Sequence, residues 1–227
     1  MEFDFGAIER GLPFLWTGFR YTLTLTGFAC AGGIVFGTLL ALARLSPWGL
    51  LRGIAATYVN VMRSVPLILV IFWFFFLSPL ILQSITGAER PVPVGAERSA
   101  LFTFILFEAA FFCEIIRAGI QSIPRAQVQA AFALGLSYAQ SMRLVVLPQA
   151  FRNMLPVLLT QVIVLFQDTS LVYVISATDF LGAANKLAQR DNTLVEMYAF
   201  VAVVYLLLCL ALSRTTDILQ RKLKAGG

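Results

Sequence analysis

Asp168 is the only acidic residue between Leu147 and Ala177, in a stretch otherwise dominated by Leu, Val and Phe. A carboxylate placed in lipid costs roughly 2.5–3.5 kcal/mol on insertion scales, so such a group faces a protein interior or an aqueous path and has a partner. Gln161, seven residues earlier, falls on the same helical face. Two roles are open to Asp168. It meets the ammonium of a passing substrate or gates its route, or it neutralises a basic side chain elsewhere in the protein. Glu108 and Glu114 interrupt a second apolar stretch, Ser99 to Ile116. Glu114 has Arg117 three positions on, the spacing of an intrahelical ion pair. Glu108 has no such neighbour and is the second candidate for a substrate path. Arg63 stands where a third apolar run begins, and either anchors at the interface through its long stem or attracts an anionic substrate.

What these groups can do is narrowed by what accompanies them. The sequence contains no histidine, which removes the commonest general base and the commonest metal ligand together. Cys30, Cys113 and Cys209 each sit in apolar surroundings and read as small buried hydrophobes. There is no Gly-x4-Gly-Lys-[Ser/Thr] loop to cradle phosphates, so the chain does not itself use ATP in the usual way. A membrane-embedded enzyme built on Asp168, Glu108 and Ser170 would lack a base, a nucleophile elbow and a paired-Asp motif. Binding and conduction fit the residues better than catalysis.

The elements that must position them are helices in a bilayer. With 59% hydrophobic and 13% charged residues and a mean hydropathy of +0.84 over 227 residues, the chain lies far from a soluble domain. Unbroken apolar runs exclude the alternating pattern of a membrane barrel, leaving helices to satisfy the backbone. Five spans are predicted, about Tyr21–Ala43, Ser64–Ala88, Ser99–Ile116, Leu147–Ala177 and Met197–Ser213. The expected fold class is an all-α integral membrane protein, one domain over residues 1–227. Gly33 and Gly37 in the first span form a Gly-xxx-Gly pair suited to close helix approach.

Arg44 and Arg52, then Arg117, Arg125 and Arg143, then Arg221, Lys222 and Lys224 fall on one side of a five-span chain. Basic loops stay in the cytoplasm, so the C-terminus is expected inside. The acidic N-terminus with Glu2, Asp4 and Glu9, the segment Glu89–Arg98 and the segment Asp179–Glu196 are expected outside. No positive leader region precedes the first span, which is therefore expected to remain. The net charge of +5 is explained by these loops rather than by nucleic acid.

Between spans three and four, a loop of about 118–148 is helical by pattern. Pro124 suits a first turn, Gly135 a left-handed stop, and Ser137-x-x-Gln140 a capping box that opens a second helix. Within it, Gln129-Ala130-Ala131, then Gly135, then Val145-Val146-Leu147-Pro148 resembles the EAA loop of bacterial ABC importer permeases, Glu-Ala-Ala-x3-Gly-x9-Ile-x-Leu-Pro. Gln129 replaces the family's Glu and Val145 its Ile. The segments Gly37–Arg44, Arg63–Leu67, Glu114–Ile120, Leu147–Ala150 and Gln167–Leu171 are similar to those of the polar amino-acid permeases, and Phe166–Val174 most resembles the glutamate/aspartate branch.

The resemblance implies a type I ABC importer permease fold in a bacterial inner membrane, with a cytoplasmic coupling helix. It implies that Gln129, Ala130, Ala131, Gly135, Leu147 and Pro148 couple to separate ATPase subunits that bind the ATP, and that this chain needs no cofactor. It further implies a second permease, as a heterodimer, a periplasmic solute-binding protein, and glutamate or aspartate as the substrate, whose path the residues argued above, Asp168, Gln161, Glu108 and Arg63, are expected to line. The same role for glutamine, histidine or arginine is the alternative. A secondary transporter would carry repeated halves or a pair of broken helices, neither of which is visible in the sequence.

Overall fold

The computed structural model describes residues 4–225, with side chains as far as Lys222, so Glu2 and the Lys224 side chain lie outside the described residues. All regular structure described is helical. In chain order it comprises α1 (Phe5–Leu45), α2 (Gly49–Ser64), α3 (Leu67–Thr86), α4 (Ala96–Gln121), α5 (Arg125–Ala133), α6 (Tyr138–Ser141), α7 (Leu147–Asp168), α8 (Phe180–Asp191) and α9 (Leu194–Ala225). Five helical stretches are long and apolar enough to cross a membrane: Phe5–Leu45, Leu67–Thr86, Ala96–Gln121, Tyr138–Ile175 and Leu194–Lys222.

The first of these starts well before Tyr21, because Glu9, Arg10 and Arg20 interrupt the hydropathy but not the helix. Asp4 caps it, accepting from the Ala7 N–H at 3.1 Å and from Arg10 at the same distance. At about 1.5 Å per residue α1 reaches roughly 62 Å, about twice the apolar thickness of a bilayer. Its overhanging end is sheathed by α8 and α9 in a cluster containing Ala7, Leu15, Ala183, Leu187 and Met197.

Along its whole length α1 buries one narrow stripe, including Gly11, Gly18, Thr22, Ala29, Gly33, Gly37 and Ala41. The small residues let α4 approach closely. At Gly37 a Cβ atom would lie 2.9 Å from the Ala109 carbonyl oxygen and 2.8 Å from the Phe112 Cβ, so only glycine fits there.

Tyr21 donates to the Glu97 carbonyl at 3.2 Å near the start of α4, while Arg44 pairs with Glu114 near its end. Thus α1 and α4 run parallel. The bundle therefore has one end bearing α8 and the start of α4, and an opposite end bearing α5.

Two helices occupy segments expected as connections. The segment with Arg52 forms α2, whose Ala55 and Val59 are buried and whose Tyr58 hydroxyl donates to the Leu106 carbonyl at 2.8 Å. Its charges lower the hydropathy, yet one apolar side still packs. Pro66 pushes Val65 into an extended conformation and separates α2 from α3, so the second span begins at Leu67 rather than Ser64. The segment after Asp179 forms α8, capped by the Asp179 carboxylate, which accepts from the Leu181 and Gly182 N–H groups at 3.1 and 3.0 Å.

The fourth span also differs from expectation. Ser137 and Gln140 do form the capping box that opens α6, but α6 does not end there. It continues through a π-helical turn, Met142–Val146, into α7. Pro148 brings no N–H to the ladder, and the wider turn just before it absorbs that defect. Beyond Asp168 the chain tightens into a 3₁₀ segment, Thr169–Ile175, and turns at Ser176 with φ 64°.

Candidate functional site: a cleft between helices and an outlying helix

The end of α2, the second half of α4 and the middle of α7 enclose a cleft of about 370 Å³, lined by Arg63, Phe111, Glu114, Ser122, Asn153 and Gln161 among others. Arg63 owes its place to the break at Val65-Pro66, which ends α2 beside α4. Its guanidinium lies over the Phe111 ring, 5.6 Å from the centroid, an arrangement that steadies an otherwise exposed cation. On the opposite wall the Gln161 amide nitrogen donates to Glu108 Oε2 at 3.0 Å. Glu108 itself is 0% exposed and its second oxygen, Oε1, has no hydrogen-bond partner among the described residues. Deeper toward α5, Asn153 donates to the Ser122 hydroxyl at 2.9 Å, tying α7 to the end of α4.

Glu114 accepts from Arg117 as its spacing predicts, and also from Arg44 at the end of α1. That second partner is 70 residues away in sequence. Arg117 also donates to Gln121, so the last turns of α4 are laced to α1 just before the chain enters α5.

Of the four path candidates, two thus meet in the cleft: Arg63 and Gln161. Glu108 stands one layer behind, reaching the cleft through Gln161. Asp168 is half-buried at the end of α7, two helical turns or about 10 Å from Gln161 along the axis. No basic group lies within 4.0 Å of it, so the internal ion pair open to Asp168 does not form among the described residues. Gln161 and Asp168 share a helical face, but the Gln161 amide does not reach Asp168. Glu108 takes the amide instead, because α4 is nearer than the next turns of α7.

The proposed coupling residues gather at the α5 end. Gln129 and Ala130 are exposed, while Ala131 is buried, and Leu147 and Pro148 are exposed at the start of α7. Gly135 has φ 79°, and the turn it makes is closed by the Gly135 N–H donating to the Phe132 carbonyl and the Leu136 N–H to the Ala131 carbonyl. A small cluster, Ile123, Val146 and Ala150 with Val128 and Met142, fixes α5 against the root of α7. Leu134 at 82% and Tyr138 at 69% exposure, with Phe132, then leave an apolar, aromatic surface unpaired on the far side. Asn153, Ser122 and Phe111 carry no signal of their own in the sequence, whereas Arg44, in the last turn of a span, marks the expected cytoplasmic side but not its pairing with Glu114.

Spanning helices around a largely apolar cleft that carries a few polar groups, with an apolar-faced helix standing outside them at one end, fit a membrane permease subunit. The family described as "binding-protein-dependent transport system inner membrane component" matches residues 33–225, and the chain belongs to that family. It is 48% identical over 221 residues to the glutamate/aspartate import permease protein GltK of Escherichia coli O6:H1, covering 97% of this chain and 98% of that one. Identity to the glutamine transport system permease protein GlnP of Escherichia coli K12 is 31% over 224 residues, with 99% of each chain covered. Among solved structures, an amino acid ABC transporter crystallised with histidines superposes with a TM-score of 0.87 at 28% identity, over 98% of this chain and 100% of that one. The inward-facing MetNI methionine ABC transporter shares the fold, with a TM-score of 0.73 at 19% identity over 93% of this chain and 97% of that one.

Proposed function

We propose that this chain is the permease subunit of an ATP-driven importer for glutamate and aspartate, working across a bacterial inner membrane. The observation that carries the substrate is the 48% identity over nearly the whole length to a glutamate/aspartate import permease, against 31% to a glutamine permease. The cleft supports it physically. Arg63 offers a cation to an acidic side chain or α-carboxylate, and Gln161 offers a polar group opposite, in a space large enough for an amino acid.

In this reading Gln129, Ala130, Ala131, Gly135, Leu147 and Pro148 form the EAA-like docking surface for the ATPase, whose apolar partners meet Phe132, Leu134 and Tyr138. The α5 end is cytoplasmic, and the α8 end with the N-terminus is periplasmic, where a solute-binding protein delivers the amino acid. Polar side chains exposed along α7, such as Asn153, Thr160 and Gln167, are costly against lipid. A second, different permease subunit covers them and completes the path past Asp168.

Expression with the partner subunits in cells lacking acidic amino-acid uptake tests the substrate. Accumulation of labelled glutamate, competed by aspartate and not by glutamine, is expected. Competition by glutamine, histidine or arginine with none by aspartate would reassign the substrate.

A further inference from the structure

We propose that Glu108 is a positioning residue that acts through Gln161, turning the Gln161 amide so that its carbonyl oxygen, and not its nitrogen, is presented to the cleft. The inference rests on the amino-acid import reading and assigns Glu108 a different part from the path lining expected of it. Glu108 cannot meet a substrate in this conformation. It is 0% exposed, and the wall of α1 closes behind it, with Gly33 so near that a Cβ there would lie 3.0 Å from the Glu108 Cβ. Its contact with the cleft is the 3.0 Å hydrogen bond from Gln161 Nε2, and Gln161 lines the cleft.

A primary amide has two ends of nearly equal shape and opposite chemistry, and packing alone does not choose between them. A carboxylate only accepts, so it takes the NH2 end and leaves Oε1 for the other side. The cleft then presents an acceptor on the α7 wall and a guanidinium donor, Arg63, on the α2 wall. That pair suits the ammonium and a carboxylate of one amino acid. Were the amide free to turn, its NH2 group would spend part of the time facing the substrate ammonium, donor against donor.

The test uses the complete transporter in proteoliposomes with saturating liganded binding protein, and reads complex yield, ATP hydrolysis and amino acid moved per ATP. Failure of the wild-type complex to move acidic amino acids would sink the import reading itself, before any variant is compared. Given wild-type transport, Glu108→Met is expected to keep yield and stimulated hydrolysis while amino acid moved per ATP falls more than threefold. Glu108→Gln, whose own amide has two opposite ends and so cannot dictate which end of Gln161 faces the cleft, is expected to lose transport per ATP as well. In a Gln161→Met background, Glu108→Met is expected to add nothing.

A fall of less than threefold in Glu108→Met, or a loss that persists undiminished in the Gln161→Met background, would overturn the inference. So would Glu108→Gln transporting at the wild-type level, because orientation by an acceptor-only group would then not matter. If Glu108→Met does not assemble, the exchange Glu108→Gln with Gln161→Glu decides. It keeps the bond between α4 and α7 and returns an acceptor to the cleft, so transport per ATP within threefold of wild type supports the proposal and a larger loss contradicts it.

Discussion

Asp168 and Glu114 show how differently two carboxylates in apolar helices are accommodated. Glu114 is shared by Arg44 and Arg117 at the α5 end of the bundle, with about a quarter of its side chain exposed. Replacing it with Ala leaves two guanidinium groups facing each other. The expected loss is about 1–2 kcal/mol, between that of an exposed and a buried pair, seen as a lower unfolding temperature of the purified complex. An unchanged temperature would mean that solvent already supports both cations. Asp168 has no such partner among the described residues, so Asp168→Asn is expected to leave complex yield intact while uptake falls. Low yield would point to a cation on the second permease subunit. The Glu114–Arg117 pair was legible from its i, i+3 spacing. Arg44 was not, since only the parallel packing of α1 on α4 brings it there. The same packing hands Gln161 to Glu108 rather than to Asp168.

Helices were legible where hydropathy and helicity coincide, and mistaken in extent where charges separate the two. The first span illustrates this, since Glu9, Arg10 and Arg20 ended the apolar window and left the helix running back to Phe5. For α2 and α8, one apolar side sufficed for packing, and neither was long or hydrophobic enough to be seen in the sequence as a span. Gly37 was readable as half of a Gly-xxx-Gly pair, and its consequence is steric. Gly37→Leu should push α1 from α4 at a cost of about 1–3 kcal/mol or more, lowering complex yield. Normal yield and stability would mean that the helices separate freely there.

Gly135 was also readable, as a left-handed stop, and its φ of 79° agrees. Gly135→Val should strain that turn by about 1–2 kcal/mol and disturb the α5 surface. Stimulated ATP hydrolysis is then expected to fall while amino acid binding to the soluble binding protein does not. Full coupling at normal expression would remove this turn from the docking role.

At the α8 end, burial pushes the Asp179 carboxyl up to about 7, against the opposing pull of the Gly182 and Leu181 N–H groups. A carboxyl raised in the folded state contributes stability that is full below its unfolded value near 4 and is lost as pH rises through about 7. Stability of the complex should therefore decline over that window. Asp179→Asn, an equally good cap, should flatten the decline, and an unaltered profile would exclude Asp179 as its source.

For the whole molecule, alternate placement of basic and acidic segments was enough to foresee which segments share an end, because charge distribution and helix count are written in the chain. What covers its polar and apolar surfaces was not, because the partners lie outside it. A reporter within 127–136 is expected in the cytoplasm and one near Gly95 in the periplasm, and a cytoplasmic Gly95 would overturn the five-span orientation.

The central claim, that this permease moves acidic amino acids only as part of an ATP-driven assembly, is tested most directly by uptake into proteoliposomes. These would contain the chain with its second permease subunit and ATPase, binding protein supplied outside and ATP inside. Labelled glutamate should accumulate against its gradient, and omission of ATP, ATPase or binding protein should each abolish it. Accumulation that persists without ATP or binding protein, or an assembly that imports another amino acid and neither glutamate nor aspartate, would contradict the account.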